Sequence, residues 1–112
     1  MTDKVIIVEG SSDRKRLAPL LDEPVDIICT NGTASQTRIE ELLEPYEDAD
    51  IFAFFDADRS GEKLRALLRR EYPEARHLYT DRVYREVATT PLRVLAEELL
   101  SANIEIKTEF LL

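Results

Sequence analysis

Four short, largely apolar runs mark the chain, at Val5–Val8, Val25–Cys29, Ile51–Phe55 and His77–Tyr79. A strand with one wet face alternates apolar and polar residues, whereas an unbroken run is that of a strand buried on both faces. Between the runs apolar residues recur at three-and-four spacing: Leu17, Leu20 and Leu21, then Ile39, Leu42, Leu43 and Tyr46, then Leu64, Leu67, Leu68 and Tyr72. Each set forms the stripe of a helix facing a core. Alternation of this kind specifies a compact α/β domain, with a mainly parallel sheet of about four strands and helices on both faces.

Local punctuation supports that order. Thr33 with Gln36 fits a capping box before the second helix, and Thr90 with Pro91 fits an N-cap and first-turn proline before a fourth helix through Leu92, Leu95 and Leu99. Asn103 ends that helix, and the segment IEIK after it reads as a short last strand. With 112 residues there is material for one modest core, so the expectation is a single domain over 1–112. Hydrophobic residues make up 44% and charged residues 34%, the balance of a soluble globular protein. No apolar stretch nears the roughly 20 residues of a bilayer span, and the N-terminal apolar run is too short for a signal peptide, which predicts a cytoplasmic protein with no membrane partner. The single cysteine, Cys29, reads as a small buried hydrophobe, and the lone His77 has no Cys or His companion at ligand spacing.

The net charge of −8 by itself disfavours a phosphate backbone. Its distribution is uneven, however. Six of the eleven residues from Glu40 to Asp50 are acidic, while Arg14, Lys15, Arg16, Arg59, Lys63, Arg65, Arg69 and Arg70 follow the runs VIIVEG and FAFFDAD. Such basic residues read equally well as solvated helix faces or as a surface turned to an anion.

The acids that close those two runs carry the chemistry. Ligands of an open parallel sheet bind beyond the carboxyl ends of its strands, where Glu9 closes the first run and Asp56 and Asp58 the third. Residues at i and i+2 of a strand point the same way, so the two aspartates are expected to face one point, shared by Glu9 if the first and third strands are neighbours. Three carboxylates so placed repel one another unless a cation neutralises them. An all-oxygen set suits magnesium, with manganese as a substitute, and no Cys or His favours zinc. Two competing readings exist. Asp58 or Ser60 could simply cap the next helix. A calcium loop would use Asp56, Asp58, Ser60 and Gly61, but it lacks the twelfth-position Glu, where Leu67 stands.

Taken together, VIIVEGSSD and FFDADRSGEKLR resemble the toprim domain, the catalytic module shared by topoisomerases, bacterial primases, a group of nucleases and recombination mediators. The match covers Glu9, Gly10 and Asp13, the Asn31–Gly32 turn, and the DxDxxGE run of Asp56, Asp58, Gly61 and Glu62. The resemblance implies a three-layer, Rossmann-like domain with Glu9, Asp56 and Asp58 as the catalytic and metal-binding set, Asp56 and Asp58 as metal ligands and Glu9 as a general acid or base that also supports the metal. It is similar above all to the small stand-alone toprim proteins and to the toprim nuclease that matures 5S ribosomal RNA. The expected activity is therefore magnesium-dependent phosphoryl transfer on nucleic acid, as a nuclease of RNA or DNA. Substrate contacts are assigned to Gly10, Asp13, Arg14, Asn31, Gly32, Arg59, Gly61 and Lys63. The alternative is a non-catalytic module that holds a nucleotide or nucleic acid and works with a partner protein. A phosphoacceptor resembling receiver domains is a third reading, disfavoured because those carry an adjacent acidic pair after the first strand. Strand passage and priming need domains for which this length leaves no room.

Overall fold

The computed structural model describes residues 2–32, 35–80 and 83–112. Four strands, β1 (Lys4–Val8), β2 (Asp26–Cys29), β3 (Asp50–Phe54) and β4 (Arg76–Leu78), form one all-parallel sheet in the order β2-β1-β3-β4. Val5 is paired with Asp26 on one side of β1 and with Ile51 on the other. The helices are α1 (Ser11–Leu17), α2 (Gln36–Leu43), α3 (Arg59–Glu71) and α4 (Leu92–Ser101).

The unbroken apolar runs explain the three layers. Side chains alternate across the pleat, so Ile6 and Val8 of β1 with Phe52 and Phe54 of β3 enter one core, shared with Leu17 of α1 and Leu95 and Leu99 of α4. Val5, Ile7, Ile51 and Ala53 enter the other, closed by Ile39 and Leu43 of α2 and Leu64 and Leu68 of α3. Both faces are dry. Burying a Leu, Ile or Phe side chain is worth roughly 1.5–3 kcal/mol, and removing either helix layer would expose a whole row of them.

Three local readings change. The fourth helix begins at Leu92 with Pro91 at the N-cap, while Thr90 is fully buried and its hydroxyl donates to the Glu86 carbonyl, 2.6 Å away. The N-cap of α2 is Ser35, whose side chain accepts from the Arg38 amide; Thr33, the cap expected from sequence, lies outside the described residues. The segment IEIK is not a sheet strand. Ile106 forms an isolated antiparallel bridge with Leu21, and Ile104 and Ile106 bury while Glu105 and Lys107 stay exposed. An extended segment alternates in and out in the same way whether it joins a sheet or lies on a core, so the pattern could not separate the two.

Candidate functional site

Neighbouring β1 and β3 bring the two motifs together, as the sheet order requires. Glu9 follows β1 directly, and its carboxylate reaches across to the next strand, where Oε2 accepts from the Asp56 amide at 2.7 Å. The Ser60 hydroxyl lies 3.5 Å from Oε1. The turn after β2 docks alongside, with the Asn31 amide donating to the Glu9 carbonyl at 2.9 Å. Asn31 (φ 56) and Gly32 (φ 80) both take left-handed backbone there, which Asn and Gly tolerate best.

The aspartates reach the site by a different route from the one the spacing predicts. β3 ends at Phe54, so Asp56 and Asp58 lie beyond it and strand alternation does not orient them. Asp56 Oδ1 accepts from the Val87 amide at 2.8 Å, and Asp58 caps α3 by accepting from the Gly61 amide at 2.8 Å. Asp58 thus has the capping role. Among the described residues, no three His, Cys, Asp or Glu side chains gather as a ready metal cluster. Each aspartate has one oxygen engaged by a backbone amide.

Electrostatics nevertheless link the three acids. The Glu9 pKa is pushed up to about 7, first by burial and then by the charges of Asp56 and Asp58, with Asp56 also in side-chain hydrogen-bond contact; the Asp56 amide pulls the other way. Asp13 is 4% exposed, and its carboxyl is raised by burial and, less, by Asp56 and Glu86. It folds back to accept from the Gly10 amide at 3.1 Å, fixing the start of α1. These donors are all hard oxygens carrying like charge, a set whose chemistry fits magnesium or manganese.

Other sequence-assigned residues fall around this centre. Gly61 is the tightest point, since a Cβ there would stand 2.0 Å from the Asp56 carbonyl oxygen. Gly10, at φ −144, has open space around it. Arg59 and Lys63 are exposed on α3. Arg14 is also exposed, but its Nε donates to the Ile27 carbonyl of β2 at 3.1 Å.

Sequence reasoning missed two contributors. One is the backbone after β4, where the Ala57 amide donates to the Arg85 carbonyl at 2.6 Å and the Val87 amide holds Asp56; backbone donors leave no residue-type signal. The other is Arg65, which did leave one, because an arginine sits in the stripe of Gly61, Leu64 and Leu68 that α3 buries.

A family model described as the Toprim domain matches residues 4–85. The chain is 52% identical to the uncharacterized protein YusF of Bacillus subtilis over 109 residues, 97% of this chain and 75% of that one. It is 34% identical to ribonuclease M5 of Lactiplantibacillus plantarum over 80 residues, 70% of this chain but only 42% of that protein. The solved structure of a small TOPRIM domain protein from Bacillus stearothermophilus superposes with a TM-score of 0.92 at 52% identity, covering 100% of this chain and 98% of that one.

Proposed function

The chain belongs to the toprim family, and on that premise we propose that it is a magnesium-dependent nuclease of RNA or DNA. One observation carries the reading: the neighbouring strands β1 and β3 bring Glu9 against Asp56, whose amide holds the Glu9 carboxylate at 2.7 Å, within the field of Asp58. A carboxyl held at the carboxyl end of the sheet in this way is placed to take or give a proton. Similarity to ribonuclease M5 supports nucleic acid as the substrate.

In this mechanism Asp56 and Asp58 would hold the metal, with Glu9 beside them. A divalent ion there would polarise the scissile phosphate and stabilise the charge that develops on it. Glu9 takes a proton from the attacking water or returns one to the leaving oxygen, held in place by the Asp56 amide. Arg59 and Lys63 meet the phosphate backbone, and the turns at Gly10 and Asn31–Gly32 shape its approach, while the buried Asp13 and Gly61, assigned to substrate from the sequence, instead pack α1 and α3 against the site.

A second reading is a binding module working with a partner protein. Two observations favour it: the carboxylates are not gathered into a metal cluster among the described residues, and the shared region spans only 42% of the ribonuclease M5 relative. A cleavage screen over single- and double-stranded RNA and DNA with magnesium or manganese decides between them. Metal-dependent cleavage lost in Glu9→Gln supports the nuclease; binding without cleavage of any of the four supports the module.

A further inference from the structure

α3 buries one residue that its apolar stripe does not call for. Arg65 is 1% exposed, with its Cζ 4.0 Å from the ring centroid of Tyr79 and 5.7 Å from that of Phe55. Its nearest carboxylate, exposed Glu62, is 4.0 Å from Nε, and Nε has no hydrogen-bond partner among the described residues. Desolvating a charge costs several kcal/mol when no close ion pair offsets it, and an apolar side chain of similar volume would fill the space without that cost. Packing therefore does not account for the guanidinium.

Its hydrogen bonds do. Nη2 donates to the Leu78 carbonyl at 2.6 Å and the Phe55 carbonyl at 2.9 Å, and Nη1 is 3.1 Å from His77 Nδ1. Arginine can only donate, so Nδ1 accepts and the imidazole is neutral. The Phe55 carbonyl is half of the Phe55–Asp56 peptide unit. The other half is the Asp56 N–H, which donates to Glu9 Oε2 at 2.7 Å. In a planar trans peptide the C=O and N–H point to opposite sides, so the buried cation and the Glu9 carboxylate grip one peptide from its two ends.

We infer that Arg65 is a positioning residue, which fixes and polarises the Phe55–Asp56 peptide so that its N–H holds the Glu9 carboxylate in its working orientation. A charged donor on the carbonyl strengthens the N–H on the far side, because linked hydrogen bonds polarise one another. One nitrogen, Nη2, serves both carbonyls while Nη1 meets His77 and the guanidinium plane stacks on Tyr79, a combination that the single ammonium of lysine does not reproduce. The inference rests on the nuclease reading for its consequence, but the peptide relay itself can be observed without turnover.

The test uses the full chain with Arg65→Met, Arg65→Lys and Glu9→Gln, followed by the Asp56 amide resonance in nitrogen–proton spectra. The wild-type Asp56 amide proton should lie downfield. Glu9→Gln and Arg65→Met should each move it upfield, with non-additive shifts in the double variant, and Arg65→Lys should fall between. In single-turnover cleavage of whichever nucleic acid the screen identifies, Arg65→Met should slow the maximal rate roughly 10- to 100-fold, the usual effect of losing a group that orients a site residue. Its half-saturating substrate concentration should be unchanged, and Arg65→Lys should recover part of the rate. A folded Arg65→Met protein with the Asp56 amide in its wild-type position would overturn the inference, as would weakened substrate binding at an unchanged rate. Should Arg65→Met fail to fold, an unmoved Asp56 amide in Arg65→Lys overturns it equally. A wild type inactive on every substrate would sink the nuclease reading, and the amide comparison would still decide the relay.

Discussion

Both ends of the sheet carry acids, but they hold them differently. At the amino end, Glu44, Glu47, Glu71 and Glu74 rim a cavity of about 400 Å³ with Leu43, Ile51 and Tyr72. Among the described residues none of those four carboxylates accepts a backbone amide; Glu71 has only Arg70 at 3.6 Å. Their influence is seen on Tyr72, whose hydroxyl pKa is raised first by burial and then by Glu40, Glu71, Glu74 and Glu44. At the carboxyl end, Glu9, Asp56 and Asp58 each accept a backbone N–H, and a buried arginine stands behind one of those amides. The amino-end cavity thus lacks the backbone engagement on which the proposed chemistry rests. Acid density gives a solvated rim at one end, and backbone engagement gives a fixed constellation at the other.

The sharpest way to break that constellation is steric. Gly61→Ala puts a Cβ 2.0 Å from the Asp56 carbonyl oxygen, backbone that cannot move without moving Asp56. We expect a loss of roughly 3 kcal/mol, the upper range for overpacking, read as a fall in the denaturant midpoint. Gly10→Ala has open space and no such demand.

Metal response separates the two ends next. Magnesium or manganese at a hundredfold excess over Kd should stabilise the wild type by about 2.7 kcal/mol. Asp56→Asn with Asp58→Asn should abolish that response, whereas Glu44→Gln with Glu71→Gln should leave it intact. Equal thermal shifts in all three proteins would show that neither set of acids holds the metal, and a response lost only in Glu44→Gln with Glu71→Gln would show that acid density is enough.

A smaller effect lies in the pH dependence of stability without divalent metal. The raised Glu9 pKa, about 7 against 4.5, means the folded state holds its proton more tightly, so this contribution is lost as pH rises from about 4.5 to 7. His77 is the reverse: burial first, then Arg65 and Arg69, lower its pKa from 6.5 to about 4. Its contribution is present above pH 6.5 and is lost as pH falls toward 4. Denaturation curves across this range, subtracting Glu9→Gln or His77→Gln from wild type, should give slopes of opposite sign. The smallest change should be Gly10→Ala, within about 0.5 kcal/mol as for other unconstrained sites.

The sheet was legible because a run such as VIIV cannot be buried on both faces unless helices cover both, and Glu9 and Asp56 came together once β1 and β3 were neighbours. The orientation of the aspartates was not legible. It depends on β3 ending two residues before Asp56 and on the Val87 amide arriving from a segment 31 residues later, a long-range backbone contact that no side-chain pattern encodes. Gly10 illustrates a related limit: a glycine beside a site suggests a close approach, but the crowded glycine is Gly61. Arg65, grouped from the sequence with basic residues of a solvated or anion-facing surface, is instead buried; its place beside Leu64 and Leu68 was the available signal, without showing which carbonyls it would hold.

The central claim is that the backbone-held carboxylates at the carboxyl end of the sheet do chemistry and those at the amino end do not. Single-turnover cleavage and substrate affinity, measured in magnesium for wild type, Glu9→Gln and Glu71→Gln, test it directly. Glu9→Gln should lose roughly a hundred- to ten-thousand-fold in rate, the scale of one proton-transfer group, with affinity retained, and Glu71→Gln should match wild type. Wild-type cleavage that survives Glu9→Gln undiminished, or falls equally in Glu71→Gln, would contradict the account.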